Sequence, residues 1–349
     1  MKSVLVPAMT TPWSTPLATS RVRDELQQAN LELASGRHAD IGLHLGGRTK
    51  VLVSAQAQKS LLEGAKDNAT IGATRLAMIQ DSLEASVSGA QSFMKELVPQ
   101  ASGQGDPAQG AQMARALLED FTSAINVTSQ GAFVFGGKNI SEAPLTDYFS
   151  DPPSAARQAV EDAFQAKFGM PPSDPAAASI TAADMEDFLD NEFAALFDSP
   201  QWETLWSSAT DEEMRNLVSL TDVAPVTASA NDPAIRKVVM SYVMMAGLGV
   251  ESLNGATRQA VAARALRTAG QGVAEMNAMQ GRVGVVEERV GQAKERLDAQ
   301  LALVDKEIAG LEQVDLHEAA ERVQALSLQL EASYALTGKL KDLTLLRYL

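Results

Sequence analysis

Residues 283–349 read VGVVEERVGQAKERLDAQLALVDKEIAGLEQVDLHEAAERVQALSLQLEASYALTGKLKDLTLLRYL and decide the fold of the chain. In the first half of this stretch, apolar residues recur every three or four positions, which is typical of an amphipathic helix packed on other helices. This apolar stripe consists of Val283, Val286, Val290, Ala293, Leu297, Leu301, Val304, Ile308 and Leu311. At 1.5 Å per residue such a helix is about 45 Å long. The sequence therefore predicts a rod that is longer than an ordinary globular core requires.

A second helical pattern follows a break at residues 313–315 and continues to the last residue of the sequence. The pattern carries Val323, Leu326, Leu330, Tyr334, Leu340 and Leu343, and its last turns have an apolar face that consists of Leu336, Leu340, Leu343, Leu346 and Leu349. Too little sequence lies beyond this face to cover it in a monomer, and an uncovered apolar end frays in water. We therefore expect the face to be an assembly surface, buried against the N-terminal helix and against neighbouring copies of the chain.

The N-terminal helix carries a matching stripe. Residues 1–16 are punctuated by proline and are predicted to be extended, and a helix is predicted from Leu17 to the Ser35-Gly36 stop signal. Its apolar stripe consists of Val22, Leu26, Ala29 and Leu33. The spacing of these residues fits one face of a helix. We expect that this stripe, like the C-terminal one, has no partner inside a single monomer and belongs to the assembly interface.

Composition and charge exclude several classes of protein. The 349 residues carry a net charge of -15 with a pI of about 4.7, which argues against a nucleic-acid partner because no basic surface is available for phosphates. The chain has no cysteine, so neither disulfides nor thiolate chemistry are expected. The first 16 residues lack the apolar core of a secretory signal, and no run of 18 apolar residues predicts a membrane span. The protein is expected to be soluble, or exported without a cleaved signal peptide.

The N-terminal half of the chain predicts further helices and one short hairpin. A long helix is predicted over about residues 50–98, and a third helix from residue 106 or 107 to about 128. The stripe of the long helix consists of Leu61, Ala65, Leu76, Ile79, Leu83, Val87, Ala90, Met94 and Leu97. The sequence GAFVFGG at residues 131–137 predicts a short strand and tight turn. A Gly-containing loop is predicted for residues 38–47.

Residues 142–230 are predicted to form an inserted domain with a small core of its own. The composition shifts there toward Pro, Ala, Ser and Asp, and large aromatic side chains concentrate in one part of the segment. The aromatic residues are Phe188, Phe193, Phe197, Trp202 and Trp206. The predicted divisions are residues 1–35 (an N-terminal assembly segment), 36–141 and 231–313 (the two halves of the long-helix core), 142–230 (an outer domain) and 314–349 (a C-terminal assembly helix). The expected fold is mainly α: a long-helix coiled-coil bundle from the N- and C-terminal segments, with a short β-hairpin and a small inserted middle domain.

The sequence offers little chemistry. His38 and His44 lie in one predicted loop, but no third ligand of a metal site lies near them. The segment GAFVFGGK at residues 131–138 lacks the hydroxyl residue of a phosphate-binding loop and is apolar inside. The acidic residues between 184 and 192 lack the glycine of a calcium loop and are interpreted as a solvated helix face. We predict no catalytic residue, cofactor or metal ion.

Four segments together resemble the bacterial flagellin superfamily, and within it the hook-associated proteins of type 3 found at the hook–filament junction. LQQANLELASGR at residues 26–37 is similar to the "L…L.SG.R" signature at the first helix–loop boundary of flagellins. GAFVFGGKNISEAP at 131–144 resembles the "G.Y.F.G….P" segment of junction proteins. LEQVD at 311–315 is similar to the turn before the last helix, and LTLLRYL at 343–349 resembles the end of junction proteins.

This resemblance implies a structural role. The terminal segments of such proteins pair as coiled coils in an inner tube, and the middle of the chain faces outward. The implied partners are other copies of the chain, the hook-associated protein of type 1, flagellin and a flagellar export chaperone, and the implied location is the extracellular flagellum. Residues 38–47 and the proline-rich start depart from the family pattern, so filament flagellin stays an alternative. A cytoplasmic coiled-coil adaptor and an enzyme housed in residues 145–230 are the remaining alternatives.

Overall fold

The computed structural model describes the backbone of residues 14–345 and the side chains of residues 17–339. Helices dominate this part of the chain. They are α1 (Ser14–Ser35), α2 (Ile41–Leu45), α3 (Thr49–Ala101), α4 (Pro107–Ile125), α5 (Ala155–Phe168), α6 (Ala182–Asp190), α7 (Gln201–Leu205), α8 (Pro233–Ala246), α9 (Gly255–Glu312) and α10 (Leu316–Leu345). Short 3-10 turns occupy Gly46–Arg48, Pro175–Ser179, Ala194–Phe197 and Val250–Ser252. The mainly helical fold predicted from the sequence is confirmed.

Two small antiparallel hairpins accompany the helices. Strands β1 (Thr128–Ser129) and β2 (Ala132–Phe133) pair directly after α4, as the glycine-flanked sequence at residues 131–137 predicted. The hairpin turns through Gln130 and Gly131, both of which have positive φ. Strands β3 (Arg215–Leu217) and β4 (Val223–Pro225) form the second hairpin, within the predicted insert, with Leu217 opposite Val223.

The chain divides into two compact units. The terminal unit contains residues 1–61 and 299–349, and the central unit contains residues 62–298. Their charges differ greatly: the terminal unit has 12 basic and 12 acidic residues, whereas the central unit has 17 basic and 32 acidic residues. The whole net charge of the protein therefore belongs to the central unit. Within the terminal unit, residues 1–61 have an excess of three positive charges and residues 299–349 an excess of three negative charges.

The long helices bury the stripes that their spacing predicted, with one correction. In α9 the buried members of the stripe are Val290, Ala293, Leu297, Leu301, Val304 and Leu311. In α3 the side chain of Leu61 is 65% exposed, and its neighbour Leu62 is the buried residue instead. Leu62, Ala65 and Ala69 follow one another at helical spacing, so they occupy the packed face and turn Leu61 to solvent.

Helix starts follow the local sequence. Asp106 accepts a hydrogen bond from the backbone N–H of Ala108, and Pro107 occupies the first turn of α4, where it removes no helical hydrogen bond. The same arrangement begins α8, where Asp232 accepts from the N–H of Ala234 and is followed by Pro233. The sequence Asn-Asp-Pro at residues 231–233 thus starts this helix. Ten of the 14 residues of α8 are buried, including every residue from Val238 to Met245, so this helix forms the centre of the core.

The predicted insert does not have a core of its own. Its aromatic side chains are buried, as expected. The ring centroids of neighbouring residues lie 4.7–5.9 Å apart in the series Phe188, Phe193, Phe197 and Trp206. These side chains belong, however, to one continuous hydrophobic cluster with buried residues of α3, α4, α8 and α9. The prediction of a separate core is wrong, because the Trp202 indole N–H donates to Asn231 just before α8 and its ring is packed toward that helix. The predicted boundaries at residues 142 and 230 stay predictions.

The predicted loop at residues 38–47 is also corrected. It contains the short helix α2, because the Asp40 carboxylate accepts a hydrogen bond from the N–H of Leu43 and caps the turn. Leu45 of α2 is buried against Leu52 and Leu311 in a small cluster of the terminal unit. No helix in the described part of the chain has both the length and the apolar character needed to cross a membrane.

Candidate assembly surface

Helices α1 and α10 of the terminal unit pack against each other in antiparallel orientation. Glu32, near the end of α1, contacts Arg322, near the start of α10. At the other end of the pair, Ser20 and Arg23 of α1 line a cavity together with Tyr334 and Thr337 of α10. The two helices that the sequence analysis assigned to assembly are therefore partners within one chain.

The predicted stripe of α1 lies in this contact. Val22 is 7% exposed and Ala29 only 1%, while Leu26 and Leu33 are half-buried. The expectation that the stripe has no partner inside a monomer is wrong, because α10 supplies one. The small side chain of Ala29 is the most deeply buried of the four, and it permits a close approach of the helices at that point.

The α10 side of the contact is not the predicted leucine stripe. Ala319 is fully buried, and Val323, Leu326 and Leu330 are half-buried. Leu336 of the predicted stripe is 63% exposed. Leu336 was expected to pack on α1, but the packed face consists of Ala319 together with Val323, Leu326 and Leu330 of the predicted helical pattern, at spacings of four, three and four. Leu340 and Leu343 lie in α10 with side chains outside the described set, and Leu346 and Leu349 lie outside the described residues.

Large apolar side chains on both helices of the pair point to solvent. Leu31 of α1 is 56% exposed, and Leu328 of α10 is 69% exposed, similar to Leu336. Leu31 lies two residues from buried Ala29 and Leu328 two residues from half-buried Leu326 and Leu330, which places both on the side of their helix away from the contact. Exposed apolar side chains mark an interaction site in soluble proteins where they form a continuous surface. We call the side chains of Leu31, on the outer side of α1, and of Leu328 and Leu336, on the outer side of α10, the outer leucine face.

A polar junction holds the end of α1 to the turn between α9 and α10. The buried Glu32 carboxylate accepts a hydrogen bond from the N–H of Ala39 at 3.1 Å, lies 3.5 Å from the Nδ1 atom of His38 and 3.2 Å from Arg322. Gly36, with a φ of 70°, accepts a backbone hydrogen bond from Val314. Only glycine adopts this conformation without strain, which explains the glycine of the SGR sequence.

A second buried carboxylate completes the junction. Glu312, at the end of α9, lies 3.1 Å from Arg37 and accepts a hydrogen bond from the side chain of Gln56 at 3.1 Å. Its backbone carbonyl accepts a hydrogen bond from the N–H of His38. Sequence reasoning missed both carboxylates. The partners of Glu32 and Glu312 include residues more than 250 positions away, a distance at which no spacing rule operates.

The residues considered for metal binding have other roles in the structure. The rings of His38 and His44 stack at 3.6 Å, and within the described residues no group of three or more His, Cys, Asp and Glu side chains could hold an ion. In the acidic segment, Asp187 and Glu192 both pair with Lys167, which lowers the pKa of each carboxyl from its ordinary value. The structure thus gives the acidic run a partner in α5.

Two family models match the chain. The first, the bacterial flagellin N-terminal helical region, matches residues 14–140, and the second, the bacterial flagellin C-terminal helical region, matches residues 266–349. The two matched regions contain α1 and α10, the helices of the candidate assembly surface. No curated protein matches the chain well enough to serve as a relative.

Solved structures are similar to the chain in fold. One of them, from Vibrio parahaemolyticus and described as a flagellar hook-associated protein, superimposes with a TM-score of 0.51 at 10% sequence identity. The similarity covers 76% of this chain and 97% of the other. At this identity the comparison establishes the arrangement of helices and nothing about individual residues.

Proposed function

The chain belongs to the bacterial flagellin superfamily, and from that premise we propose that it joins the flagellar hook to the filament. Proteins of this family are structural, so the chain is a structural component of the bacterial flagellum and not an enzyme.

The outer leucine face is the observation that carries the proposal. The two helices are packed on each other, and Leu31 on the outer side of α1 and Leu328 and Leu336 on the outer side of α10 still leave two exposed apolar surfaces for association. In a tube, each contact joins two different surfaces of identical subunits, so every subunit can bind a further one and the assembly does not stop at a dimer. Burial of the leucines would stabilise each such contact by roughly 25 cal/mol per Å² of apolar area. The terminal stripe at Leu340, Leu343, Leu346 and Leu349 is proposed to extend this surface.

The charge distribution supports the same mode of assembly. The terminal unit has no net charge, so packing many copies of it around one axis brings no net like charges together. The 15 excess negative charges belong to the central unit, which is proposed to face solvent on the outside of the tube. This division favours burial of α1 and α10 between copies of the chain.

A junction role is preferred over the filament itself because of two segments. GAFVFGGKNISEAP at residues 131–144 and LTLLRYL at 343–349 resemble those of type 3 hook-associated proteins more than those of filament flagellins. The proposed partners are the type 1 hook-associated protein, flagellin, further copies of this chain and an export chaperone. The proposed location is the extracellular flagellum, reached without a cleaved signal peptide. Filament flagellin remains the second candidate, since both family models describe flagellin regions.

Electron microscopy of a deletion strain tests the proposal. Loss of a junction protein leaves hooks without filaments and releases flagellin into the medium. Loss of a filament protein leaves hooks that still carry the complete junction. Quantitative mass spectrometry of sheared flagella gives a second measurement, because a junction protein is a trace component and a filament protein is the bulk. Normal filaments in the deletion strain would contradict both roles, and would favour a cytoplasmic adaptor if the protein stayed inside the cell.

A further inference from the structure

The central unit contains a small cavity between α3, α4 and α8. Its volume is about 200 Å³, and Ala85, Ser86 and Gly89 of α3 form one wall. Leu117 and Phe121 of α4 contribute to the opposite wall. Neither the sequence motifs nor the matched family descriptions assign a role to this cavity.

Three polar groups of the cavity have no partner within the described residues. The Ser86 side chain is 4% exposed and its hydroxyl makes no hydrogen bond. The carboxylate of Asp120, which also lines the cavity, is exposed and takes part in no ion pair, and the Tyr242 hydroxyl makes no hydrogen bond to another described residue. Burial raises the pKa of Tyr242 and the nearby Asp120 charge raises it further, so this hydroxyl stays protonated and neutral.

The combination is unusual for an empty gap between helices. Buried polar groups in native proteins are nearly always hydrogen-bonded. Here an unpartnered hydroxyl lies inside, a second hydroxyl and a carboxylate converge on the same space, and the rest of the wall is apolar. The position of Tyr242 is fixed, because its ring packs edge-on against Phe93 at 4.9 Å and Phe121 at 6.1 Å. Such a site suits a ligand with an aliphatic stem and a cationic, hydrogen-bond-donating head.

We propose that this cavity receives a lysine or arginine side chain from a second copy of the chain. The stem would lie against Leu117 and Phe121 while the head would donate to Asp120 and Ser86. Lysine and arginine side chains bury their stems and carry three or more N–H donors at the end. This inference rests on the proposed self-assembly, and it adds a specific contact between central units to the association of the terminal helices.

Charge complementarity favours a second copy as the source of the cation. The central unit is strongly acidic, so an unpaired carboxylate on one copy needs a basic group on the next to offset repulsion between them. The central unit also exposes basic side chains that form no ion pair with any described residue. They are Lys95, Arg215, Arg267 and Arg296.

A pair of glycine substitutions tests whether the cavity is used. The Cβ atom of a Gly89→Ala variant would lie 3.5 Å from Leu117 and 3.7 Å from the Tyr242 hydroxyl, so it fits the monomer but occupies part of the cavity. Gly64→Ala, in the same helix, meets nothing within 4 Å and serves as the matched control. Both changes remove a helix-interior glycine and should raise the melting temperature by about 2 °C. Only Gly89→Ala should reduce incorporation into flagella.

A second pair of variants tests the carboxylate. Asp120→Asn removes the charge at the cavity, and Asp81→Asn makes the same change at an exposed position of α3 that does not line it. Incorporation is measured in a complemented deletion strain as the ratio of protein in sheared flagella to total exported protein. We expect this ratio to fall at least about tenfold for Gly89→Ala and for Asp120→Asn, because loss of a charge-assisted hydrogen bond weakens a contact by about that factor. Both controls should give the wild-type ratio.

The outcomes separate this inference from the proposed function. Equal incorporation of Gly89→Ala and Gly64→Ala, or of Asp120→Asn and Asp81→Asn, would overturn the cavity contact while self-assembly stands. A wild-type protein that never enters flagella would overturn the proposed function and this contact together. A lower melting temperature for Gly89→Ala than for wild type would show that the cavity is part of the monomer packing, and would also overturn the inference.

Discussion

Replacement of Leu328 and Leu336 by aspartate should block assembly while leaving the monomer folded. The two side chains are 69% and 63% exposed, so the changes should cost the monomer about 0.5 kcal/mol each. Full burial of a leucine contributes about 1.5–3 kcal/mol, of which roughly two-thirds is still to be gained on assembly. Two leucines therefore contribute about 2–4 kcal/mol at a contact.

The aspartates add a second cost in the assembled state. An unpaired carboxylate buried at an interface costs several kcal/mol more than the leucine it replaces. The total penalty exceeds about 4 kcal/mol, which corresponds to a weakening of each contact by a factor of about a thousand. Incorporation into flagella is measured by immunoblot of sheared filaments and hooks, and monomer stability is measured by chemical denaturation of the purified variant.

A matched variant separates the assembly surface from a general effect of added charge. Leu220 is 48% exposed, and Leu220→Asp makes the same chemical change in the central unit. It should incorporate normally. The double variant Leu343→Asp with Leu346→Asp is expected to behave like the first, because it alters the predicted continuation of the same surface. Normal incorporation of the Leu328 and Leu336 variant, or a loss of several kcal/mol in monomer stability, would refute the reasoning.

Three further changes should act on the folded chain. Glu32→Gln removes a buried carboxylate that accepts from a backbone N–H and contacts Arg322, so denaturation of the terminal unit should show a loss of about 1–3 kcal/mol, and a cost below 0.5 kcal/mol would contradict the polar junction. Lys167 lowers the pKa values of Asp187 and Glu192, so the ion pairs stabilise the folded chain above about pH 4.5, the higher of the two ordinary pKa values, and this stabilisation is lost as the pH falls through the lowered pKa values. Lys167→Gln should therefore make the denaturation midpoint less dependent on acid pH, and an unchanged dependence would contradict the prediction. Deletion of residues 142–230 should unfold the central unit, because their aromatic residues share its core; native helix content by circular dichroism after deletion would instead support an independent insert.

Helix positions and seams could be predicted from the sequence because they depend on local geometry. A period of three and four residues selects one face of a helix wherever it occurs, which is why the stripe from Val290 to Leu311 was found. The error at Leu61 has the same origin. Leu61 and Leu62 both fit the period, and only the neighbouring helix decides which of the two is covered.

The candidate site was predictable only in part, since pairing is a long-range property. The stripes of α1 and α10 were visible, Leu326 and Leu330 among them, but spacing could not reveal that these two residues pack on α1 of the same chain while Leu336 stays exposed. The aromatic residues of the insert predicted a core without indicating which helices it would join. For Glu32, an isolated acidic residue in a helix gave no sign that it would be buried beside Arg322.

The unequal division of charge also bears on how the free subunit remains in solution. A chain that exposes a leucine face is prone to self-associate before it reaches the site of assembly. A net charge well away from zero gives colloidal stability, and here the central unit carries all of it while the leucine face lies on the uncharged terminal unit. Repulsion between central units acts over a Debye length of about 8 Å at physiological salt. It can therefore keep free subunits dispersed in bulk without placing any charge on the surface that must later be buried.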